Sequence, residues 1–294
     1  MKKIIIPVLI AFIFASCEDV IDVELNEQDT GLYAVEAKIT TIDQPFVYLT
    51  KGVPVTVDEN FTGISHALVT ISDDADPQNS IILIEDPDSA GFYTVSSGEN
   101  FPGVPGREYT VTIETEGIIL TASDFLYSVE KIDSINVWPS LRGDKMFLGI
   151  FTYGYETPGL GNYYKWDIFI NDTLLSDAEM MSIASDEFVD GNYINGLEIF
   201  TDFYNPHNPE ERKLCYLDTI QVRQNSLSSF AYNYFYQLIN QSYGGGLFSV
   251  PPANIESNFQ SNDGKKVLGL FTAHDVSVSN RVIIDDEIEN QLAR

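Results

Sequence analysis

The chain has 294 residues, with 44 Asp or Glu against 16 Lys or Arg, and its formal net charge is -28 at pH 7. Nucleic-acid binding and adhesion to an anionic lipid surface both need clustered basic residues, so this excess of acids disfavours them. Hydrophobic residues make up 44% of the chain, which supplies enough apolar side chains for packed cores. The length favours two domains.

An export signal is predicted over residues 1–16. An apolar run at 4–14 follows two lysines, and it is shorter than the roughly 20 residues that span a bilayer. The small residues Ala15 and Ser16 stand directly before Cys17, which resembles a bacterial lipobox. We therefore predict cleavage before Cys17 and acylation of this residue as a membrane anchor, with an ordinary secretory signal as the alternative.

The segment 17–30 is rich in acids and lacks both basic and aromatic residues. Such a segment cannot bury enough apolar surface to fold, so we predict a flexible tether. Glu18, Asp19 and Asp22 directly behind the cysteine resemble the signal that sends Bacteroidota lipoproteins to the outer face of the outer membrane. A solvated tether on a periplasmic protein is the alternative.

Residues 31–128 consist of short runs in which apolar and polar residues alternate, such as "YAVEAKIT", "HALVTISD" and "REYTVTIETE". Clusters of Gly, Pro and Asp separate these runs, as turns require. Seven runs at this spacing predict an antiparallel β-sandwich. The pattern resembles immunoglobulin-like or transthyretin-like modules, which host many functions and therefore do not decide one.

Two acidic turns of this range offer oxygen ligands that suit calcium. The carboxylates belong to Asp73, Asp74, Asp76, Asp86 and Asp88. The DxDxDG register of a calcium loop is missing, so we favour solvated turns and keep calcium binding as the alternative.

Residues 129–294 are predicted to form a second β-rich domain. In "KWDIFIND" the side chains of Trp166 and Ile168 fall on one face of a strand, and Asn171-Asp172 is typical of a tight hairpin turn. Cys215 lies in another alternating run, and free cysteine is among the most buried residue types. We therefore predict that Cys215 is buried, without a disulfide, since acylated Cys17 is the other cysteine.

An amphipathic helix is predicted near 226–241, because apolar residues in "SLSSFAYNYFYQLINQ" recur with the helical period. Ser226 or Asn225 is expected to cap its start, and the glycines at 244–246 are expected to end it. The predicted apolar stripe consists of Leu227, Phe230, Ala231, Tyr234, Phe235, Leu238 and Ile239.

Tyr232 and Tyr236 fall beside this stripe, one turn apart, and Tyr243 and Phe248 follow in a glycine-rich segment. Tyrosine combines an apolar ring with a polar tip, which suits partner surfaces and the stacking of sugars or peptides. We therefore predict a partner-binding patch formed by these four residues. Burial of the tyrosines by a neighbouring strand is the alternative.

No catalytic, metal or cofactor site is predicted. The histidines His66, His207 and His274 form no HExxH or HxH pair, and neither GxSxG, a P-loop nor GxGxxG occurs. Acids are numerous enough to place a pair at the separation used by glycosidases by chance. A hydrolase therefore stays as an alternative.

The order of several short motifs points to one family. The lipobox, the acidic tether, "KIDSI" after the first sandwich, the aromatic helix, "PPANIESNF" and "VLGLFTAHDVS" follow one another along the chain. In this order the chain resembles the Bacteroidota lipoprotein family catalogued as domain of unknown function 4249. The resemblance brings no catalytic residues, and it implies an accessory lipoprotein in uptake, because members are commonly encoded beside TonB-dependent transporters.

These expectations combine into one prediction. The protein is an outer-membrane lipoprotein that faces the cell exterior and serves, without catalysis and without a cofactor, as a binding or docking accessory to a TonB-dependent transporter. A hydrolase of surface polymers and a structural or adhesive envelope protein are the alternatives.

Overall fold

A computed structural model describes most of the chain that follows the predicted tether. The described residues are 32–52, 61–75, 79–202, 211–242 and 255–292. The predicted signal peptide, the tether, Cys17, Glu18, Asp19 and Asp22 lie outside them. Among the described residues, no helix has the length and apolar character needed to cross a membrane.

The described chain is mainly β, as the alternating runs predict. In chain order the strands are β1 (Tyr33–Thr40), β2 (Phe46–Lys51), β3 (Thr62–Gly63), β4 (Leu68–Asp73), β5 (Ser80–Glu85), β6 (Phe92–Thr94), β7 (Arg107–Thr115), β8 (Ile118–Leu126), β9 (Ile132–Arg142), β10 (Lys145–Tyr155), β11 (Tyr163–Ile170), β12 (Thr173–Leu174), β13 (Ser182–Ser185), β14 (Tyr193–Thr201), β15 (Thr219–Leu227), β16 (Gln260–Ser261), β17 (Leu268–His274), β18 (Val276–Val278) and β19 (Val282–Ile283). The helices within the described ranges are α1 (Ser229–Ser242) and α2 (Asp286–Leu292), and a 3-10 turn lies at Ala178–Met180.

The first sheet has ten strands in the order β16-β8-β7-β4-β5-β6-β2-β1-β17, with β3 paired to β2. Neighbours are antiparallel except β1 and β17, which run parallel. In β7, Tyr109, Val111 and Ile113 alternate with more exposed residues and are buried. The sheet curls around these side chains, because period-two patterning puts one face of each strand in the core.

The first sheet closes where β17 approaches β8. Asp124 of β8 accepts a hydrogen bond from the Ala273 N–H at 2.9 Å. Asn258 donates to the Ser123 carbonyl at 3.2 Å and accepts from the Phe271 N–H at 3.0 Å. These side chains satisfy backbone groups that an open sheet edge would leave unpaired. The first sheet thus takes strands from beyond position 255 as well as from the predicted range 31–128.

The second sandwich packs two smaller sheets face to face. One has the order β14-β10-β9, and the other has the order β12-β11-β15-β18, with β13 on β11 and β19 on β15. Trp166 and Ile168 of β11 are buried in the core between them, on the face that the sequence predicts. Asn171 and Asp172 have φ of 51° and 63° and join β11 to β12, as in a type I′ hairpin turn.

The first sheet and the second sandwich meet at a junction formed by Thr41, Tyr127, Val129, Ser226 and Asp275. Asp275 is the one residue between β17 of the first sheet and β18 of the second sandwich. Its carboxylate accepts hydrogen bonds from Thr41 Oγ1 and from the Val129 N–H, both at 2.9 Å. Ser226 Oγ accepts from the Asp275 N–H at 2.9 Å and donates to the Tyr127 carbonyl at 2.6 Å.

The prediction that Cys215 is buried is wrong, because the residue is exposed. It lies in a turn before β15 rather than in a strand, and the neighbouring Leu214 is the buried side chain. The Asp218 carboxylate accepts a hydrogen bond from the Cys215 N–H at 2.8 Å, and the Cys215 carbonyl accepts one from the Asp218 N–H at 3.0 Å. This pair of bonds fixes a turn where alternation alone indicates a strand.

Candidate functional site

Helix α1 carries the predicted tyrosines, and its bounds differ from the predicted 226–241 by three residues at the start and one at the end. Its N-cap is Ser228, whose Oγ accepts a hydrogen bond from the Ala231 N–H at 3.1 Å. The expected caps, Ser226 and Asn225, are instead paired with β11 as part of β15, so the expected capping is wrong. The glycines at 244–246 lie outside the described residues.

Three tyrosine rings form a row at the side of α1. The ring centroids of Tyr163, on β11, and Tyr232 are 4.8 Å apart, and those of Tyr232 and Tyr236 are 6.4 Å apart with nearly parallel planes. Tyr232 is half-buried, and burial raises the pKa of its hydroxyl, which therefore stays neutral near pH 7. Tyr236 is 54% exposed and presents its ring to solvent.

The exposed side of this row faces a groove of about 480 Å³. The groove lies between α1 and the strands β13 and β14. Its walls are formed by Arg142, Glu179, Met180, Met181, Ser182, Ile183, Glu198, Ile199, Phe200, Thr201, Tyr232, Tyr236 and Ile239. We call it the tyrosine groove. Its size falls within the range of about 300 to 1,000 Å³ typical of ligand pockets.

The wall opposite the tyrosines is polar. Arg142 forms an ion pair with Glu198, and Thr201 Oγ1 donates a hydrogen bond to the other Glu198 oxygen at 2.6 Å. Burial raises the pKa of Glu198, but hydrogen bonds from Thr201 and Ser140 and the charge of Arg142 outweigh it, so the pKa lies below its usual value. The tyrosine groove thus sets flat aromatic rings against a fixed pair of opposite charges.

A second cavity, of about 430 Å³, lies beneath α1. It separates β1 and β17 of the first sheet from β11 and β15 of the second sandwich. We call it the helix-covered cavity. Helix α1 therefore borders two spaces at once, because Tyr232, Tyr236 and Ile239 line the tyrosine groove and Tyr234, Phe235 and Leu238 line this cavity.

A family model described as "Domain of unknown function (DUF4249)" matches residues 18–280. The chain belongs to this family. The match confirms the resemblance drawn from the order of the motifs, and it begins one residue after Cys17. No curated protein matches this DUF4249 chain.

The remaining predicted site residues are placed as follows. Of the four residues in the predicted partner patch, the structure brings Tyr232 and Tyr236 together on α1 of the DUF4249 chain. Tyr243 and Phe248 lie outside the described residues. The row also contains Tyr163, which was not predicted, because it lies on a strand 69 positions before Tyr232 and no local pattern links it to the helix.

The acidic turns of the first sheet are held by internal bonds. Asp73 is buried and pairs with Arg107 at 2.6 Å. Asp74 accepts a hydrogen bond from a backbone N–H of β7 at 3.1 Å, and Asp86 accepts from the Asp88 N–H at 2.9 Å. The first pair and the second pair of acids lie at opposite ends of β5, too far apart to share one ion. Asp76 lies outside the described residues.

One cluster of acids was not predicted. Oxygens of Glu156, Asp186 and Asp190 lie within 4.8 Å of one another, and the first two residues are buried. The Gly159 N–H donates to Asp190 at 2.6 Å, and the Gly161 N–H donates to Asp186 at 2.9 Å. The loop with these glycines joins β10 to β11, and its N–H groups stabilise the carboxylates. The cavity beside Glu156 measures about 30 Å³, enough for one or two water molecules.

The described histidines are far from each other in the fold. His66 has φ of 65° in the connection between β3 and β4, and His274 ends β17. His207 lies outside the described residues. His274 is buried beside the helix-covered cavity, a position that period and spacing in the sequence do not indicate.

Proposed function

We propose that this protein is an outer-membrane lipoprotein that serves, without catalysis, as a binding or docking accessory to a TonB-dependent transporter in nutrient uptake. The tyrosine groove carries the proposal, because half-buried Tyr232 and exposed Tyr236 form an aromatic wall on α1. Such rings supply large contact areas with little loss of conformational freedom, and they are enriched in interfaces. The Arg142–Glu198 pair opposite them offers both a donor and an acceptor to a sugar or a peptide.

Anchoring on Cys17 would place this groove near the membrane. A single acyl chain gives only marginal, reversible membrane binding, whereas two or more chains on one residue hold a protein stably in the bilayer. The predicted tether at 17–30 would extend to roughly 45 to 50 Å at most, at about 3.3 to 3.6 Å per residue. This reach would let the folded part lie over the outer mouth of a transporter, with the groove free to contact either the transporter or its substrate.

The geometry of the acid cluster favours this role over hydrolysis. The range matched by the family model includes α1 and the walls of the tyrosine groove. The acid cluster at Glu156 borders a space for one or two waters, whereas a glycosidase needs a cleft that admits a sugar between its carboxylates. A structural or adhesive role is the outcome that the experiment below separates from uptake.

The test is affinity purification of the tagged full-length lipoprotein from native membranes, followed by mass spectrometry. We expect a TonB-dependent transporter among the recovered proteins. In the double variant Tyr232→Ala, Tyr236→Ala, recovery should fall by about tenfold or more, as for loss of aromatic anchors at an interface. Thermal unfolding should show that the variant still folds.

The matched control removes another pair of contacting, exposed tyrosines. Tyr155 and Tyr193 are 61% and 46% exposed, and their ring centroids are 5.0 Å apart. Tyr155→Ala, Tyr193→Ala should leave recovery of the transporter unchanged. If no transporter is recovered with the unaltered protein, the structural role replaces uptake; if both double variants lose it equally, the tyrosine groove is not the docking surface.

Anchoring is tested separately by metabolic labelling with an alkyne analogue of palmitate. The unaltered protein should be labelled and found with outer membranes. Cys17→Ala should be unlabelled, whereas Cys215→Ala, which removes the other cysteine, should keep its label. An unlabelled wild-type protein would contradict the anchor without touching the groove.

A further inference from the structure

The helix-covered cavity is an open space, in contrast to the packed cores of the first sheet and the second sandwich. Its volume of about 430 Å³ lies within the range of ligand pockets. Its upper wall is α1, and its lower walls are one face of the first sheet and one face of the second sandwich. A space of this size is unusual inside a protein, because interiors pack nearly as densely as organic crystals.

One wall of the cavity is apolar. Tyr234, Phe235 and Leu238 belong to the predicted apolar stripe of α1, yet each is only partly buried, and Ala231 is the buried residue among those described in the helix. Tyr234 and Phe235 pack in part against the buried cluster of Leu227, Ala231 and Leu270, and all three stripe residues also line the cavity. Trp166 adds apolar surface on the opposite side.

Two charged residues on the cavity wall, Lys165 and Asp167, neutralise each other. Lys165 forms an ion pair with one oxygen of Asp167, and Asn225 donates to the other oxygen at 2.9 Å. Burial raises the pKa of Asp167, but the charge of Lys165 and its hydrogen bond outweigh this effect and keep the pKa below its usual value. The pair therefore contributes no net charge to the cavity.

Lys38 also lies on the cavity wall, and its positive charge has no ion-pair partner among the described residues. Its Nζ lies 5.4 Å from the centre of the Phe46 ring, and within the described part of the chain no carboxylate lies at ion-pair distance. Asp167, which senses its charge, has both oxygens engaged by Lys165 and Asn225. Glu36, on the same face of β1, is exposed at the cavity rim.

His274 lines the cavity as a neutral group. Its Nδ1 lies 2.7 Å from the Ser226 carbonyl oxygen, which only accepts, so Nδ1 carries the hydrogen and Nε2 keeps a lone pair. Burial lowers the pKa of His274 to about 4, and the charges of Lys38 and Lys165 act in the same direction. Near pH 7 His274 therefore adds no charge, and the charged groups of the lining that lack an ion-pair partner among the described residues are Lys38 and, at the exposed rim, Glu36.

We propose that the helix-covered cavity binds a small amphipathic carboxylate. Its anionic head pairs with Lys38, and its apolar body lies against Tyr234, Phe235 and Leu238. A cation of the same shape would meet Lys38 with like charge, and a neutral apolar molecule would leave Lys38 without an anion. This binding activity goes beyond docking at the tyrosine groove and uses other residues, so either can fail alone.

The experiment uses the chain from residue 18, which omits the predicted signal and Cys17 but keeps every residue that the structure describes, in buffer without detergent. Three probes with a ten-carbon chain, decanoate, decanol and decyltrimethylammonium, are titrated by calorimetry, the two ions below their micelle concentrations and decanol below its solubility limit. We expect saturable binding of decanoate to one site, with an affinity about tenfold or more above those of decanol and the cation, since one charged hydrogen bond distinguishes them. Equal binding of all three probes, or no binding of decanoate, would overturn the proposal.

Four variants locate the site. Lys38→Met should reduce the decanoate affinity to that of decanol, whereas Lys265→Met, a lysine with 74% side-chain exposure, should leave it unchanged. Leu238→Ser should weaken all probes, and Glu36→Gln at the rim should strengthen decanoate binding by about twofold, through loss of a like charge. Far-UV circular dichroism and thermal unfolding monitor the fold of each variant. Preference for decanoate that survives Lys38→Met in a folded protein would contradict the assignment.

Discussion

The first sheet and the second sandwich contact each other in two contrasting ways. At the junction, Asp275 and Ser226 connect backbone and side chains of both parts through a set of hydrogen bonds of 2.6 to 2.9 Å. Beneath α1 the same two parts stay apart and leave a cavity of about 430 Å³. The distance along β15 and β17 from one region to the other is only a few residues.

The two regions of this interface have different roles, one in stability and one in binding. Satisfied polar bonds hold the orientation of the two parts, because a buried donor without an acceptor costs more free energy than the bond gains. Incomplete packing beside these bonds leaves surface for binding, and it is tolerable because the junction already fixes the geometry. Stability should therefore depend on the junction, and binding should depend on α1 and its two bordering spaces.

Breaking the junction should have the largest effect. Asp275→Ala removes the acceptor of Thr41 Oγ1, of the Val129 N–H and of the Val276 N–H. Because these groups are partly buried, we expect a loss of about 3 to 4 kcal/mol in the free energy of unfolding. Urea unfolding followed by tryptophan fluorescence measures it.

The control for this change is Arg281→Ala. Arg281 pairs with Asp172, but its side chain is 52% exposed, so the loss should stay within about 0.5 kcal/mol. Equal losses for the two variants would show that the junction holds the parts together no better than a surface ion pair does.

Two buried groups near the junction should give opposite pH dependences. Burial raises the pKa of Asp124 from 3.8 to about 6, so the folded state retains a proton there, and stability from this group falls as the pH rises from about 4 to 6. Burial lowers the pKa of His274 from 6.5 to about 4, so the unfolded state binds the proton, and stability from this group rises between about pH 4 and 6.5.

The two slopes should nearly cancel in the unaltered protein. Asp124→Asn keeps an oxygen that can accept the hydrogen bond from the Ala273 N–H, and it removes the titration of the acid. The free energy of unfolding of this variant should then rise by about 3 kcal/mol from pH 4 to 6.5, as the His274 shift requires. Urea unfolding at pH 4.5, 5.5 and 6.5 tests this, and an unchanged slope in the variant would contradict opposition between the two groups.

Much of the fold follows from the sequence, and the reasons can be traced to single elements. Alternation in β7 and β11 correctly predicts which faces are buried, and Asn171-Asp172 predicts a hairpin turn because both residues tolerate positive φ. The helical period predicts α1 to within three residues at either end. These features depend on neighbours along the chain.

Other features depend on partners that are far away in sequence. β17 pairs with β1 across more than two hundred residues, and Tyr163 meets Tyr232 from a separate strand. Cys215 alternates like a strand residue but lies in a turn that Asp218 fixes. The apolar stripe of α1 predicts a helix face that packs in a core. Periodicity in the sequence does not distinguish a stripe that packs against side chains from one that lines a cavity.

The smallest expected change is at the N-cap of α1, and it tests whether α1 opens independently of the junction. Ser228 stands between β15 of the junction and α1, and its Oγ caps the Ala231 N–H. Ser228→Ala should cost about 1 kcal/mol, as for other N-caps, whereas Ser229→Ala at the exposed first position of α1 should cost less than about 0.5 kcal/mol. Hydrogen exchange should show faster opening of α1 and unchanged protection of β15, because the junction bonds remain. If β15 opens together with α1, the bonded and the open halves of the interface form one cooperative unit, and stability and binding are not divided between them.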